Sequence, residues 1–321
     1  MRQRRHVTST RSTVLDRRMS ALAFVTSDSS LPNDYDMPLL LDACQLRGLA
    51  VDVCAWDDPA IDWSGYSAVV LRSPWDYSER LPEFLGWCER ITAVTDLFNP
   101  LSVIRWSLDK HYLADLAAHC VPVVPSKFVE PGTMPLPALR EFLADCPQAD
   151  DFVIKPTIGC YSKSVRRYSR EQESGATEHI ARLLEEGHCA LLQPYLPSID
   201  HDGETNLIYF DGIYSHAIRK EALLMRDGTV HPPAYEFRTA RDADDDERAV
   251  ALAALDATAA HFGLDRPLLY ARVDLIRDNN GNPQLLELEI AEPSLSLPFA
   301  RAGAMRFAEV LAKVMRTRQG T

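Results

Sequence analysis

The sequence lacks paired cysteines. Its seven are scattered singly through 321 residues with no CxxC among them, so no disulfide framework is legible, and reduced thiols in a cytoplasm are the expectation. Nine histidines show neither HxH nor HExxH spacing, which counts against a zinc site. No apolar run approaches the roughly 20 residues that a membrane span needs, so no membrane partner is expected. Positive charge is also scarce. Against 46 Asp and Glu stand 34 Lys and Arg, a formal net charge of -12, whereas phosphate-backbone binding runs on excess cations. No nucleic-acid partner is expected. Neither GxGxxG nor GxxxxGK[ST] occurs, so any phosphate site must be built in another way.

What is present suits a soluble enzyme of several lobes. Apolar residues make up 46% and charged residues 25%, ample for a core in a chain too long for one simple layer. The first twenty residues are rich in Arg, Ser and Thr and almost free of acids. They read as a disordered extension over 1–18 or an organelle-targeting peptide. From there "ALAFVT", "LAVDVCAW" and "YSAVVL" alternate with helical stretches near Met37 to Arg47 and Glu83 to Thr92. That alternation implies a doubly wound parallel sheet for an N-terminal α/β domain over 19–105.

A helix is expected from Ser102 to His119. A second lobe, 106–192, carries the strands "FVIKP", "VRRYS" and "CALLQPY" and helices near Leu136 to Asp145 and Glu171 to Glu186. A third, 193–321, opens with the hairpin "ETNLIYF", "DG", "IYSHAIRK", then a helix near Asp246 to Phe262, a second hairpin, and a closing helix near Ala300 to Arg316. The whole is α/β followed by α+β.

"LLELEIAEPSLSL" poses the functional question. Alternate residues of a strand share a face, so Glu287 and Glu289 project together while Leu286, Leu288 and Ile290 bury. Upstream, "YARVDLIRDNNGNPQ" offers Asn280-Gly281 as a two-residue turn. Counting outward, Leu275 pairs with Leu286, Asp274 with Glu287, and Arg272 with Glu289. One face then collects Arg272, Asp274, Glu287 and Glu289, unless Pro283 introduces a bulge and shifts the register. Three carboxylates at that density suit magnesium, with Arg272 balancing charge beside a transferring phosphate. An exposed acidic face with Arg272 as a salt-bridge partner is the competing reading.

Other residues extend the pattern. Lys155 ends a buried strand before the loop "TIGCYSKS" and is expected to reach toward an anion. The prolines in "ALLQPYLPS" make a hinge, where backbone groups at Tyr195 and Leu196, with Gln193 alongside, could read an adenine edge. Arg72 follows "SAVVL" at the carboxyl end of a parallel strand, where ligands gather. It is placed to clamp a substrate carboxylate, or else to pair with Asp76. Selectivity is expected in the loops Ser27 to Asp36 and Ser73 to Tyr77, which makes Ser73 a second substrate contact.

Together "DKHYLADL", "VIKP", "LLQPYLP", "DGETNLIYFDGIYSHAIRK", "ARVDLI" and "LLELEIAEPSLSL" resemble the ATP-grasp superfamily, from about Ala21 to the C-terminus. "LRSPWDY", "SHAIRK" and "ELEIAEPSL" look most like its cyclo-ligase branch, which closes O-ureido-D-serine into D-cycloserine with ATP. The resemblance implies a three-lobed ATP-grasp architecture that binds ATP and Mg2+, with Mn2+ as a substitute. It implies that Lys110 and Lys155 hold the ATP phosphates, that Gln193 meets the adenine with Tyr195 and Leu196 at the hinge, and that Glu204 meets the ribose. Asp274, Glu287 and Glu289 would bind metal and Arg272 would stabilise the phosphoryl group. A basic residue of "SHAIRK" would stand at the reaction centre. A two-residue Asp211-Gly212 turn puts Arg219 opposite Glu204, whereas the superfamily pattern marks Lys220.

The expected activity is an ADP-forming carboxylate–amine ligase working through an acyl phosphate on a small amino-acid-like acid. Nitrogen and acid lie on one molecule in a cyclo-ligase and on two in a dipeptide-type ligase. A catalytically silent nucleotide-binding protein and a metal-dependent hydrolase are the alternatives. The oligomeric state stays open, a homodimer included.

Overall fold

The computed structural model describes residues 21–160, 162–225 and 238–319. The expected extension over 1–18 lies outside the described residues.

The first lobe holds β1 (Leu22–Thr26), α1 (Met37–Leu46), β2 (Val51–Ala55), β3 (Ala68–Ser73), α2 (Leu81–Thr92), β4 (Leu97–Phe98) and α3 (Leu101–Ser107). Its strands run parallel in the order β2-β1-β3-β4. Both β1 and β3 are buried at every position, as expected of a parallel sheet covered on both faces. In this lobe only β4 had no expectation, being two residues long and too short for a periodic signal.

The second lobe comprises α4 (Tyr112–Ala118), β5 (Lys127–Val129), α5 (Pro135–Asp145), β6 (Asp151–Pro156), β7 (Arg166–Ser169), α6 (Glu173–Glu185) and β8 (Ala190–Pro194). Its sheet is antiparallel, ordered β5-β8-β6-β7. The single helix expected from Ser102 to His119 is two helices, α3 and α4. The Asp109 carboxylate accepts from the His111 backbone N–H at 3.2 Å, and the Lys110 N–H donates to the Thr157 carbonyl at 3.0 Å. Side chain and loop take over donors that a continuous helix would have used.

The third lobe adds β9 (Glu204–Phe210), β10 (Ile213–Lys220), β11 (Arg238–Arg241), α7 (Asp245–Phe262), β12 (Tyr270–Arg277), β13 (Pro283–Glu289) and α8 (Arg301–Gln319). Its antiparallel order is β11-β10-β9-β12-β13. Leu207, Val273, Leu275 and Leu288 bury with Ala251 and Ala254 of α7 and Leu113 of α4. The opposite, polar face of this sheet looks toward the second lobe.

Both hairpins differ from expectation in an instructive way. The β12–β13 turn has three central residues, because the Asp278 N–H bonds to the Asn282 carbonyl at 2.8 Å and Gly281 takes φ +82°. A three-residue turn with an αL glycine is the next commonest hairpin after the two-residue form. It pairs Arg277 with Pro283 and Leu275 with Leu285 rather than Leu286. A bulge then restores the count, so Asp274 pairs with Glu287 and Arg272 with Glu289 as expected. The extra residue is Leu286, which lines the cleft while Leu285 takes its place in the core.

In β9–β10, Tyr214 pairs with Tyr209 but His216 with Ile208, so a bulge at Ser215 shifts the register. Lys220, not Arg219, therefore stands opposite Glu204.

Candidate active site

A cavity of about 510 Å³ opens between the second and third lobes. At one end lie Gln193, Tyr195 and Leu196, where β8 gives way to its prolines. Gln193 is buried and donates to the Ser126 hydroxyl at 2.9 Å. Tyr195 bonds through its hydroxyl to Asp200, and the Arg167 guanidinium lies 3.4 Å above its ring. Val153, Pro194, Leu196, Ile199 and Ile276 give the cavity its apolar lining.

Lysines crowd the middle. Lys155, 7% exposed at the end of β6, reaches Glu287 Oε1 at 2.9 Å. Lys110, in the break between α3 and α4, lies 3.7 Å from the same oxygen and donates to the Gly159 carbonyl at 3.3 Å. Burial would raise the Glu287 carboxyl, but these two ammonium groups outweigh it and hold the group well below the usual carboxylate range. Lys155 itself is pushed down by burial, with Glu287 opposing. Lys220 is raised, since Glu204 and Asp274 overcome its burial.

The far end is the acidic face. Ligand oxygens of Asp274, Glu287 and Glu289 lie within 4.8 Å of one another. Arg272 forks onto Asp274 with two bonds of 2.8 Å and reaches Glu289 at 2.6 Å. Two carboxylates thus share one guanidinium. Burial raises Asp274 to about 7 and also raises Glu289, Arg272 opposing in both cases. Arg272 serves Asp274 and Glu289 while Lys155 and Lys110 serve Glu287, so the three carboxylates are held side by side by cations on either flank. Three hard oxygen donors at this spacing, open to a cavity on the Glu287 and Glu289 side, fit a magnesium-sized ion that keeps water and phosphate ligands.

Of the residues expected at the site, Lys110, Lys155, Gln193, Tyr195, Leu196, Glu204, Lys220, Arg272, Glu287 and Glu289 line the cavity, and Asp274 lies just beneath. Arg219 does not; it donates to the His201 carbonyl on the other side of the sheet. Arg72 and Ser73 are not brought to the cleft either. Both have no exposed surface, Arg72 donating to the Pro293 carbonyl at 3.1 Å and Ser73 Oγ sitting 2.8 Å from Thr26 Oγ1. Nor does Arg72 pair with Asp76, which accepts from the Trp56 indole N–H. Its nearest carboxylate is Asp36, at 3.9 Å. The segment after Ile290 folds over the carboxyl end of β3, where an open parallel sheet would have exposed it.

Glu292 and Arg238 are among the lining residues that the sequence reading did not single out. Glu292 is buried and raised to about 7 by that burial, with the Tyr77 hydroxyl opposing. It stood three residues beyond Glu289 in the stretch already singled out. Arg238 had no such signal, being one of two arginines in the polar stretch "RTAR".

Comparison with known proteins gives this geometry a family. Residues 22–99 match the N-terminal domain of D-cycloserine synthetase DcsG. The chain is 57% identical over 295 residues to the cycloserine biosynthesis protein DcsG of Streptomyces lavendulae, covering 92% of this chain and 99% of that protein. The crystal structure of D-cycloserine synthetase DcsG superposes with a TM-score of 0.89 at 56% identity, over 92% of this chain and 99% of that one. The ATP-grasp ligase PsnB, complexed with the precursor peptide PsnA2 and AMPPNP, shares the fold at a TM-score of 0.60 and 18% identity, over 92% and 97% of the two chains.

Fold and relatives together define an enzyme with the ATP-grasp ligase fold. Within that class the chain belongs to the DcsG family. Among the described residues no helix is long and apolar enough to cross a membrane.

Proposed function

We propose that this enzyme closes a small amino-acid-like acid into a ring with ATP, releasing ADP and phosphate, in the manner of a D-cycloserine-forming cyclo-ligase. O-ureido-D-serine is the substrate that the likeness to DcsG supports best. One observation carries the reading: a single cavity joins the apolar Gln193–Leu196 end to the acidic face, with Lys110 and Lys155 between.

A carboxylate is a poor electrophile, so the γ-phosphoryl group is first moved onto it, giving an acyl phosphate and ADP. In this reading Gln193 and the backbone at Tyr195 and Leu196 seat the adenine, and Glu204 takes the ribose. Lys110 and Lys155 hold the phosphates, freed from Glu287 when nucleotide arrives. Asp274, Glu287 and Glu289 would hold Mg2+, with Mn2+ as a substitute, which when bound offsets charge on the triphosphate. Arg272 and Lys220 then face the transferring group, where preorganised positive charge counts most in a cleft shielded from water. The nitrogen borne on the side-chain oxygen of the same molecule attacks the acyl carbon and gives up its proton as phosphate leaves; the carbamoyl group that this nitrogen carries in O-ureido-D-serine is then cleaved by water to carbon dioxide and ammonia. Holding both ends of one substrate in reach supplies much of the acceleration.

The loop after β6 supports exclusion of water from the intermediate. Cys160 Sγ donates to the Trp75 carbonyl at 3.0 Å and Lys163 pairs with Glu79 at 2.5 Å, which fastens the loop to the first lobe. Hydrolysis of an acyl phosphate is the side reaction that such a closure suppresses. The test is magnesium-dependent ADP release across a panel of free amino acids, aminooxy analogues and O-ureido-D-serine. Release stimulated by an aminooxy-type acid supports the reading, and indifference to every acid refutes it.

A further inference from the structure

Arg72 is sealed beneath the segment after Ile290, so the cleft needs another group to receive the acid of the substrate. Arg238, the first residue of β11, lines the cavity at the corner where Arg272 and Ser294 meet. Its Nη1 donates to the Ser294 hydroxyl at 2.9 Å and the Ser296 hydroxyl at 3.1 Å. Among the described residues no carboxylate lies within ion-pair distance of it. Arg272 beside it is already committed to Asp274, Glu289 and the Ser294 carbonyl. Among the described residues nothing accepts from the Nε and Nη2 donors of Arg238, and a guanidinium fork matches a carboxylate in two parallel bonds.

The serines are held in place for this. Ser296 takes φ +54°, a left-handed backbone that a non-glycine residue adopts only where its surroundings impose it. The imposing group is Asp36, whose carboxylate accepts from the Leu295 N–H at 2.6 Å and the Leu297 N–H at 2.7 Å. Burial raises Asp36, and Arg72 opposes. The first lobe thereby positions Ser294 and Ser296 against Arg238. Burial first and the neighbouring Arg272 second push the Arg238 guanidinium down, while Asp36, Glu204 and Glu289 oppose.

We propose that Arg238, with the Ser294 hydroxyl, is the recognition site for the substrate carboxylate, the α-carboxylate of a small amino acid that accepts the phosphoryl group. The proposal rests on the ligase reading above and assigns its acid-binding subsite. Asp36 and Arg72 act through the serine turn as positioning residues.

The test is steady-state kinetics of Arg238→Met and Arg238→Lys with whichever acid of the panel best stimulates ADP release in the wild type. KM for the acid should rise at least about tenfold in Arg238→Met, as expected for a lost charged hydrogen bond. KM for ATP should stay within about twofold, and Arg238→Lys should recover part of the loss. AMPPNP binding by calorimetry checks that each variant is folded. Where turnover is too slow to measure, acid binding to the AMPPNP complex replaces it, and its loss in Arg238→Met supports the assignment. An unchanged KM for the acid, or a matching rise in KM for ATP, overturns it and leaves the ligase reading standing. If the wild type releases ADP with no acid, the ligase reading falls and this assignment with it.

Discussion

Lys220 meets Glu204 across β9 and β10, its ammonium nitrogen 3.1 and 3.2 Å from the two carboxylate oxygens. The pair exists because a bulge at Ser215 moves β10 by one residue. A strand slip of one residue exchanges its two faces, so this bulge decides which of two adjacent cations enters the cavity. Bulges are common beside active sites, where they re-aim a side chain. Lys220→Met should therefore lower kcat/KM by about a hundredfold or more, the scale of losing one preorganised charge. Arg219→Met should stay within a few-fold of wild type. Parallel kinetics on the two variants separate the registers, and equal losses would contradict the assignment.

Replacing Glu287 by Gln removes the negative charge that Lys155 and Lys110 share. The expected outcome is loss of acid-stimulated phosphate release by about 10²–10³-fold, with nucleotide binding weakened far less. Phosphate release and AMPPNP affinity measured on the same sample distinguish a ligase from a silent nucleotide binder, in which only affinity would change.

Arg72 is fully buried with Asp36 as its nearest carboxylate. Removing one member of a buried pair leaves an uncompensated charge and costs about 3–5 kcal/mol. Arg72→Met should lower the thermal midpoint by several degrees. If Arg72→Met keeps the wild-type midpoint yet raises KM for the acid, Arg72 is the clamp after all.

Acid should weaken the fold in a defined window. Burial holds His179 and His216 at about 4, below the ordinary histidine value. The unfolded chain then binds more protons than the native one between about 6.5 and 4, so stability rises with pH across that range and is lost on acidification. His179→Leu should flatten this limb of a plot of urea midpoint against pH. An unaltered slope would show that His179 titrates normally.

How much of this was legible in the sequence depends on what local patterns encode. The parallel first sheet was legible because apolar stretches such as "ALAFVT" and "SAVVL" alternate with helices, and the acidic face because Glu287 and Glu289 alternate with leucines. Register was legible by coincidence: the three-residue turn at Asn279 to Gly281 shifts the β12–β13 pairing one way and the Leu286 bulge shifts it back. Neither offset has a sequence signature beyond Gly281 and Pro283. The burial of Arg72 was not legible, because the segment that covers it lies 221 residues away along the chain. The same is true of Arg238, whose meaning comes only from Ser294 and Ser296 beside it.

Magnesium binding offers a sharper check on the acidic face. With Asp274 raised to about 7 by burial, the face carries a proton below that pH and must release it to take a divalent cation. Magnesium affinity should rise with pH through about 7, and calorimetry in buffers of different ionisation enthalpy should register proton release. A pH-independent affinity would mean that Asp274 is ionised throughout.

The most direct measurement is ADP formation by the purified enzyme with O-ureido-D-serine, ATP and Mg2+, each omitted in turn. ADP should form only when all three are present, in step with D-cycloserine. ADP formation that ignores the acid, or ring closure without ATP, would contradict the account.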